Sequence, residues 1–265
     1  MKDPDALSRR SFLQTVTCGT VLGGSLNRCR SAFAQGSSQP APLGEFGGRW
    51  RLSFLDDFAN AAHFDRYWVR VTDRGGDHQT VRLPENVAVS DGGLHLKLGH
   101  GNDEQRPYTG GFVQSRSFRQ CFGYFECEMR IANETGVNNA FWLTSDHATE
   151  GDARFELDIA EAKYPNLIQV AARSWRPRRV TWSATSRPDA KLSEDFHCYS
   201  MLWTEQEFRF FFDEVPIYSV ANTFAHTPAM VLFSNAVASF AGKSDGHVEG
   251  SETSIRRVRV FEKVG

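Results

Sequence analysis

The chain has 265 residues, with 30 Lys and Arg against 32 Asp and Glu, a net charge of −2, 21 phenylalanines and 12% aromatic residues. That balance excludes a polyanion binder held by bulk charge, so no nucleic-acid partner is expected. The length suits one domain of ordinary size behind a short leader, with enough aromatic mass for a large core.

At the N-terminus, Ser8-Arg9-Arg10-Ser11-Phe12-Leu13 is a twin-arginine pattern followed by a weakly apolar run from Thr15 to Leu26. Ala32-Phe33-Ala34 supplies an Ala-x-Ala cleavage site. Residues 1–34 are therefore expected to be an export signal, with delivery to the periplasm or the medium. The apolar run is too short to span a bilayer, and no stable membrane insertion is expected. Removal of the leader leaves 25 Lys and Arg against 30 Asp and Glu, a net charge of −5. Residues 35–46, rich in Pro, Gly and Ser, are expected to form a flexible spacer, with the domain over 47–265.

Beyond the spacer, short apolar segments recur with turn residues between them. The expected strands are 50–54, 87–89, 94–98, 112–115, 122–131, 140–143, 155–162, 168–175, 197–203, 208–212, 217–220, 230–235 and 255–261. Asp91-Gly92-Gly93 is a hairpin turn signal. In 122–131, Phe125, Cys127, Met129 and Ile131 alternate with Tyr124, Glu126, Glu128 and Arg130, as on a strand with one face in the core. No segment keeps helical periodicity, and the pattern is that of a two-sheet β-sandwich. Cys121 and Cys127 lie six residues apart on one strand, about 20 Å when extended, and cannot bridge. Cys198 could meet one of them on a neighbouring strand; buried free thiols are the simpler reading.

Phe155-Glu156-Leu157-Asp158-Ile159-Ala160-Glu161-Ala162 carries the chemistry. Strand alternation puts Glu156 and Asp158 on one face and Phe155, Leu157 and Ile159 on the other. Glu161 is out of phase unless one β-bulge falls between Asp158 and Glu161. Three clustered carboxylates resist ionising together, an arrangement costly for stability alone. They suit glycosidic-bond cleavage, which needs a carboxylate nucleophile and a protonated carboxyl.

This motif resembles glycoside hydrolase family 16, which carries Glu-x-Asp-x-Glu or the bulged Glu-x-Asp-x-x-Glu. Further blocks resemble the family in order: 122–130, Ala140-Phe141-Trp142-Leu143, Phe196-His197-Cys198-Tyr199 with Trp203 and Phe211-Phe212-Asp213, and the first and last strands. The resemblance covers roughly residues 47–263. It implies an all-β jelly-roll β-sandwich of two antiparallel sheets with a concave substrate cleft. It implies Glu156 as nucleophile, Glu161 as acid/base and Asp158 as the partner that sets their protonation, with the two Glu carboxyl groups about 5–5.5 Å apart.

Trp142 is expected to stack on a sugar ring, and Asn138, Arg173, Trp175 and Asn235 join the substrate-binding set. Asn138 and Asn139 stand where many β-1,3-glucanases of the family have Trp-Pro. Arg173, Arg176, Arg178 and Arg179, with Trp175 and Trp182, offer guanidinium forks that match an anionic sugar. Several family members bind a structural calcium through an Asp of the last strand. Here that stretch is Ser254-Ile255-Arg256-Arg257-Val258, so no metal and no cofactor are expected. The resulting expectation is a secreted, monomeric, retaining endo-glycosidase with a polysaccharide as its partner, most simply a β-1,3- or mixed-linked β-glucan. The alternatives are an algal galactan such as agar, porphyran or carrageenan, transglycosylation through the same intermediate, and a non-catalytic carbohydrate-binding sandwich.

Overall fold

The computed structural model describes residues 38–75, 78–145 and 153–265. The expected leader lies outside these residues. A 3-10 turn over Ala41–Glu45 leads into β1 (Arg49–Asp56), α1 (Ala61–Tyr67), β2 (Trp68–Arg70), β3 (Thr80–Arg82), β4 (Val87–Ser90), β5 (Gly93–Lys97), β6 (Gly99–Asp103), β7 (Arg106–Gly110) and β8 (Phe112–Ser115). There follow β9 (Gly123–Arg130), β10 (Val137–Ser145), β11 (Arg154–Lys163), β12 (Leu167–Arg176), β13 (Val180–Ser186), β14 (His197–Trp203) and β15 (Glu207–Phe212). The remaining strands are β16 (Val215–Ala221), β17 (Ala229–Val237) and β18 (Glu252–Val264).

Two antiparallel sheets face each other. The eight-stranded sheet has the order β16-β15-β14-β9-β18-β5-β4, with β1 on β18. The seven-stranded sheet has the order β13-β12-β11-β10-β17-β8-β2. A small third sheet, β3-β7-β6, was not expected from the sequence, nor were β2, β13 and α1. The inner faces supply the core: Phe125, Cys127 and Met129 of β9 meet Phe141 and Leu143 of β10, Leu157 and Ile159 of β11, and Phe233 of β17. The turn between β4 and β5 has positive φ at Asp91 (50°) and Gly92 (69°), the twist a two-residue hairpin requires.

Part of the expected flexible spacer is folded. Leu43 is buried against Tyr124, Leu202, Phe211 and Phe261, so the domain begins before residue 47. The apolar Leu43 in a Pro/Gly-rich stretch explains the departure, since it caps a second cluster on the outer face of the larger sheet.

That outer face is charged yet closed. Glu126 and Glu128 project outward from β9 but are buried, because Arg259 and Arg257 of the adjoining β18 bind them. Arg256 also donates to Glu128, at 3.0 Å. This cationic stretch of the last strand does not fit a calcium site. Cys198 faces outward, its sulfur 4.0 Å from a Glu126 oxygen, whereas Cys127 faces the core. The two thiols stand on opposite faces of the sheet and stay free, and burial pushes both well above the usual thiol range.

Candidate active site

β11 lies between β10 and β12 in the seven-stranded sheet. Asp158 pairs with Ala171 and Glu161 with Gln169, so three steps along β11 match two along β12. Against β10, Trp142 pairs with Asp158 and Phe141 with Ala160. One extra residue is therefore accommodated at the bulge, where the spacing of the acids placed it. Ile159 and Ala160 both turn inward, with Leu157 and Ala162. Glu156, Asp158 and Glu161 all face outward and floor a cleft of about 600 Å³.

A single guanidinium engages all three acids. Arg173 pairs directly with Glu156 across the strands, and its Nη1 donates to Glu156 Oε1 at 3.1 Å and to Asp158 Oδ2. Its Nη2 is 3.6 Å from Glu161 Oε2. Asn138 Nδ2 donates to Glu161 Oε1 at 3.1 Å, while Asn138 Oδ1 is buried without a hydrogen-bond partner. Burial raises the carboxyl of Glu156 above the usual range, opposed mainly by Arg173. Burial raises Glu161 too, opposed by Lys163 and by the Asn138 hydrogen bond. Arg173 favours the ionised form of Glu156, Lys163 and Asn138 favour that of Glu161, and the two carboxyl groups titrate as a pair.

Trp142 also lines the cleft, stacked on Phe112 with ring centroids 5.7 Å apart, and its Nε1 donates to Ser234 Oγ at 3.2 Å. Leu143, the next residue, is buried in the core as strand alternation requires. Arg82 lies over the far partner, Phe112, at 4.5 Å, and is held by Asp73. Trp175 and Phe240 line the cleft with 41% and 47% of their surface exposed. Lys163 donates to Gln169 Oε1 at 3.1 Å and sits 5.5 Å from the Phe240 ring centre.

Of the residues expected from the sequence, Glu156, Asp158, Glu161, Trp142, Asn138, Arg173 and Trp175 come together. Asn235 does not. It is 1% exposed between the sheets, accepting from Gly111 N at 2.8 Å and donating to Leu96 O at 2.7 Å and Thr253 Oγ1 at 3.1 Å. The period of β17 explains the correction: Val231, Phe233, Asn235 and Val237 share the inner face, and Ser234 and Ala236 face the cleft. The expected basic patch also divides. Arg173 is committed to the acids, Arg176, Arg178 and Arg179 are exposed and do not line the cleft, and Trp182 stands opposite Ala172 on the inner side. Arg82, Gln169, Ser234 and Phe240 were missed. Alternation against Phe233 was the available signal for Ser234; the others are placed by register and by a loop.

The Asn235→Ala variant is expected to lose about 2 kcal/mol of stability, from the buried groups left unpaired, with KM unchanged. Denaturant unfolding and steady-state kinetics check this; a raised KM at unchanged stability would return Asn235 to the cleft.

Endo-1,3-1,4-beta-glycanase ExsH of Rhizobium meliloti (strain 1021) is 34% identical over 161 residues, covering 58% of this chain and 33% of that protein. The chain thus spans about a third of the length of that relative. The beta-glucanase of Rhodothermus marinus is 26% identical over 238 residues, covering 84% of this chain and 78% of that protein. The laminarinase catalytic domain of Thermotoga maritima MSB8 superposes with a TM-score of 0.73 at 18% identity, covering 82% of this chain and 99% of that one, a likeness of fold. The model of the glycosyl hydrolases family 16 matches residues 75–252, well over half the length, and this chain belongs to that family.

Proposed function

We propose that the chain is a retaining endo-glycosidase acting on a β-glucan with 1,3 or mixed 1,3-1,4 linkages. The observation that carries the reading is the set of three carboxylates brought to one face of β11 by the bulge, at the floor of a cleft walled by Trp142. The family and the glucan-cleaving relatives support the substrate class. The galactan alternative loses one support, because Arg176, Arg178 and Arg179 do not line the cleft. The twin-arginine leader supports action outside the cytoplasm, where an extended polymer is met.

In the first step Glu161, kept protonated by its buried setting, gives its proton to the glycosidic oxygen as Glu156 attacks the anomeric carbon. The carbon–oxygen bond to the leaving chain breaks, and a glycosyl ester forms on Glu156. In the second step Glu161, now a carboxylate, takes a proton from water, whose oxygen attacks the same carbon and releases Glu156. Two displacements restore the starting configuration. Asn138 serves both states of Glu161: Nδ2 donates to the carboxylate, and a flipped amide presents Oδ1 to the carboxylic acid. Trp142 offers its face to the C–H side of a sugar ring.

Incubation with laminarin, lichenan, agarose, porphyran and carrageenans tests this. New reducing ends from laminarin or lichenan are expected, with the β-anomer appearing first by proton NMR. Cleavage confined to the galactans would overturn the substrate class, and an α-anomer formed first would overturn retention.

A further inference from the structure

Arg173 stands where the reaction has to happen. Its Nη1 and Nη2 lie 3.1 Å from Glu156 Oε1 and 3.6 Å from Glu161 Oε2. The anomeric carbon and the glycosidic oxygen must come within about 3–3.5 Å of those same carboxyl groups. A guanidinium and a sugar ring cannot fill that volume together. The cation is also wrong for the chemistry, because the transition state carries positive charge on the ring. A hydrogen bond from Nη1 further ties up the electron pairs with which Glu156 would attack.

We propose that Arg173 is a displaceable positioning residue: in the free protein it holds the acid cluster together, and a sugar entering the point of cleavage moves its guanidinium off the carboxylates. The inference rests on the glycosidase reading above.

The fold leaves room for the movement. Arg173 is on the second strand from the sheet edge, opposite the exposed Thr181 of β13, and half-exposed Trp175 follows two residues later on the same face. The guanidinium can turn toward that open edge. The need for it in the free state is also visible. Among the described residues the other cations near the acids are engaged elsewhere: Arg82 by Asp73, and Lys163 by Gln169. His78 lines the same cleft, beside Phe240. Neither Arg82 nor Lys163 hydrogen-bonds the acids in place of Arg173.

The two kinetic parameters separate the free and bound states. The pH dependence of kcat/KM reports the free enzyme, and that of kcat reports the complex. A cation beside Glu156 lowers the pH at which it ionises, so its removal moves the acid limb upward. In Arg173→Gln the acid limb of kcat/KM is expected to rise by about one pH unit, while that of kcat stays in place. Arg173→Lys, which keeps the charge, is expected to leave both limbs near their original pH. A parallel rise of both limbs would show that the guanidinium stays on the acids in the complex, and no rise in either would show that it sets neither; each result overturns the proposal.

A second readout needs no turnover. The Glu161→Gln variant, binding laminarihexaose at about pH 6, is expected to take up protons as Arg173 leaves Glu156 and Asp158, seen by calorimetry in two buffers of different ionisation heat. With Arg173→Gln added, the uptake is expected to vanish; its persistence, or its absence from the start, sinks the proposal. Failure of the native protein to cleave or bind any glucan would instead fell the glycosidase reading, and this inference with it.

Discussion

Glu156→Gln is expected to lose on the order of 10⁴-fold or more in kcat on β-glucan while still binding it. The amide keeps the shape of the carboxylate and still offers Arg173 an acceptor, so the cleft is preserved. It cannot form the glycosyl ester, and Glu161 alone has no nucleophile to assist. Reducing-end assays measure the loss, and calorimetry with laminarihexaose measures the binding. Product release at the original rate would remove Glu156 from the reaction. Loss of binding together with activity would mean that the variant had disturbed the cleft rather than the chemistry.

A second large effect is expected far from the cleft. Glu126 is 4% exposed on the outer face of the larger sheet, where Arg259 stands opposite it and donates to it through Nε. Arg259→Met leaves a buried carboxylate without its counter-charge, at an expected cost of about 3–5 kcal/mol. For a domain of this size that is roughly 10 °C in Tm. The pH dependence has a definite sign. Burial already raises the Glu126 carboxyl, and loss of Arg259 raises it further. The folded variant therefore binds a proton more tightly than the unfolded chain does. Its deficit is largest above the folded pKa and shrinks as the pH falls toward the unfolded value. Adding Glu126→Gln is expected to recover most of the loss at neutral pH. Unfolding within about 1 kcal/mol of the native protein, or a deficit that grows on acidification, would contradict this account.

The bulge was legible because apolar residues bracket each acid: Phe155, Leu157 and Ile159 fix the inner face, and only one irregularity brings Glu161 back to the outer one. The strands of the sandwich were legible for the same reason. Asn235 has the parity of Val231, Phe233 and Val237, so the alternation of β17 alone places it inward. The work of Arg173 was not legible. It depends on which residue of β12 falls opposite Glu156, and that register follows from the turn between Lys163 and Leu167 rather than from any local pattern. The third sheet escaped because its strands are short and polar, as in Gly99-His100-Gly101-Asn102-Asp103 and Arg106-Pro107-Tyr108-Thr109-Gly110. They are held by pairing rather than by an apolar face.

The bulge in β11 has an evolutionary reading. With Ile159 and Ala160 both inward, the strand spends one residue without changing which way Glu161 points. A chain shorter by one of them would run as a regular strand and still send its last acid outward. Two chain lengths therefore reach the same acidic face. A lineage can cross between them by a single-codon insertion or deletion, without an ancestor whose final carboxylate faced the core.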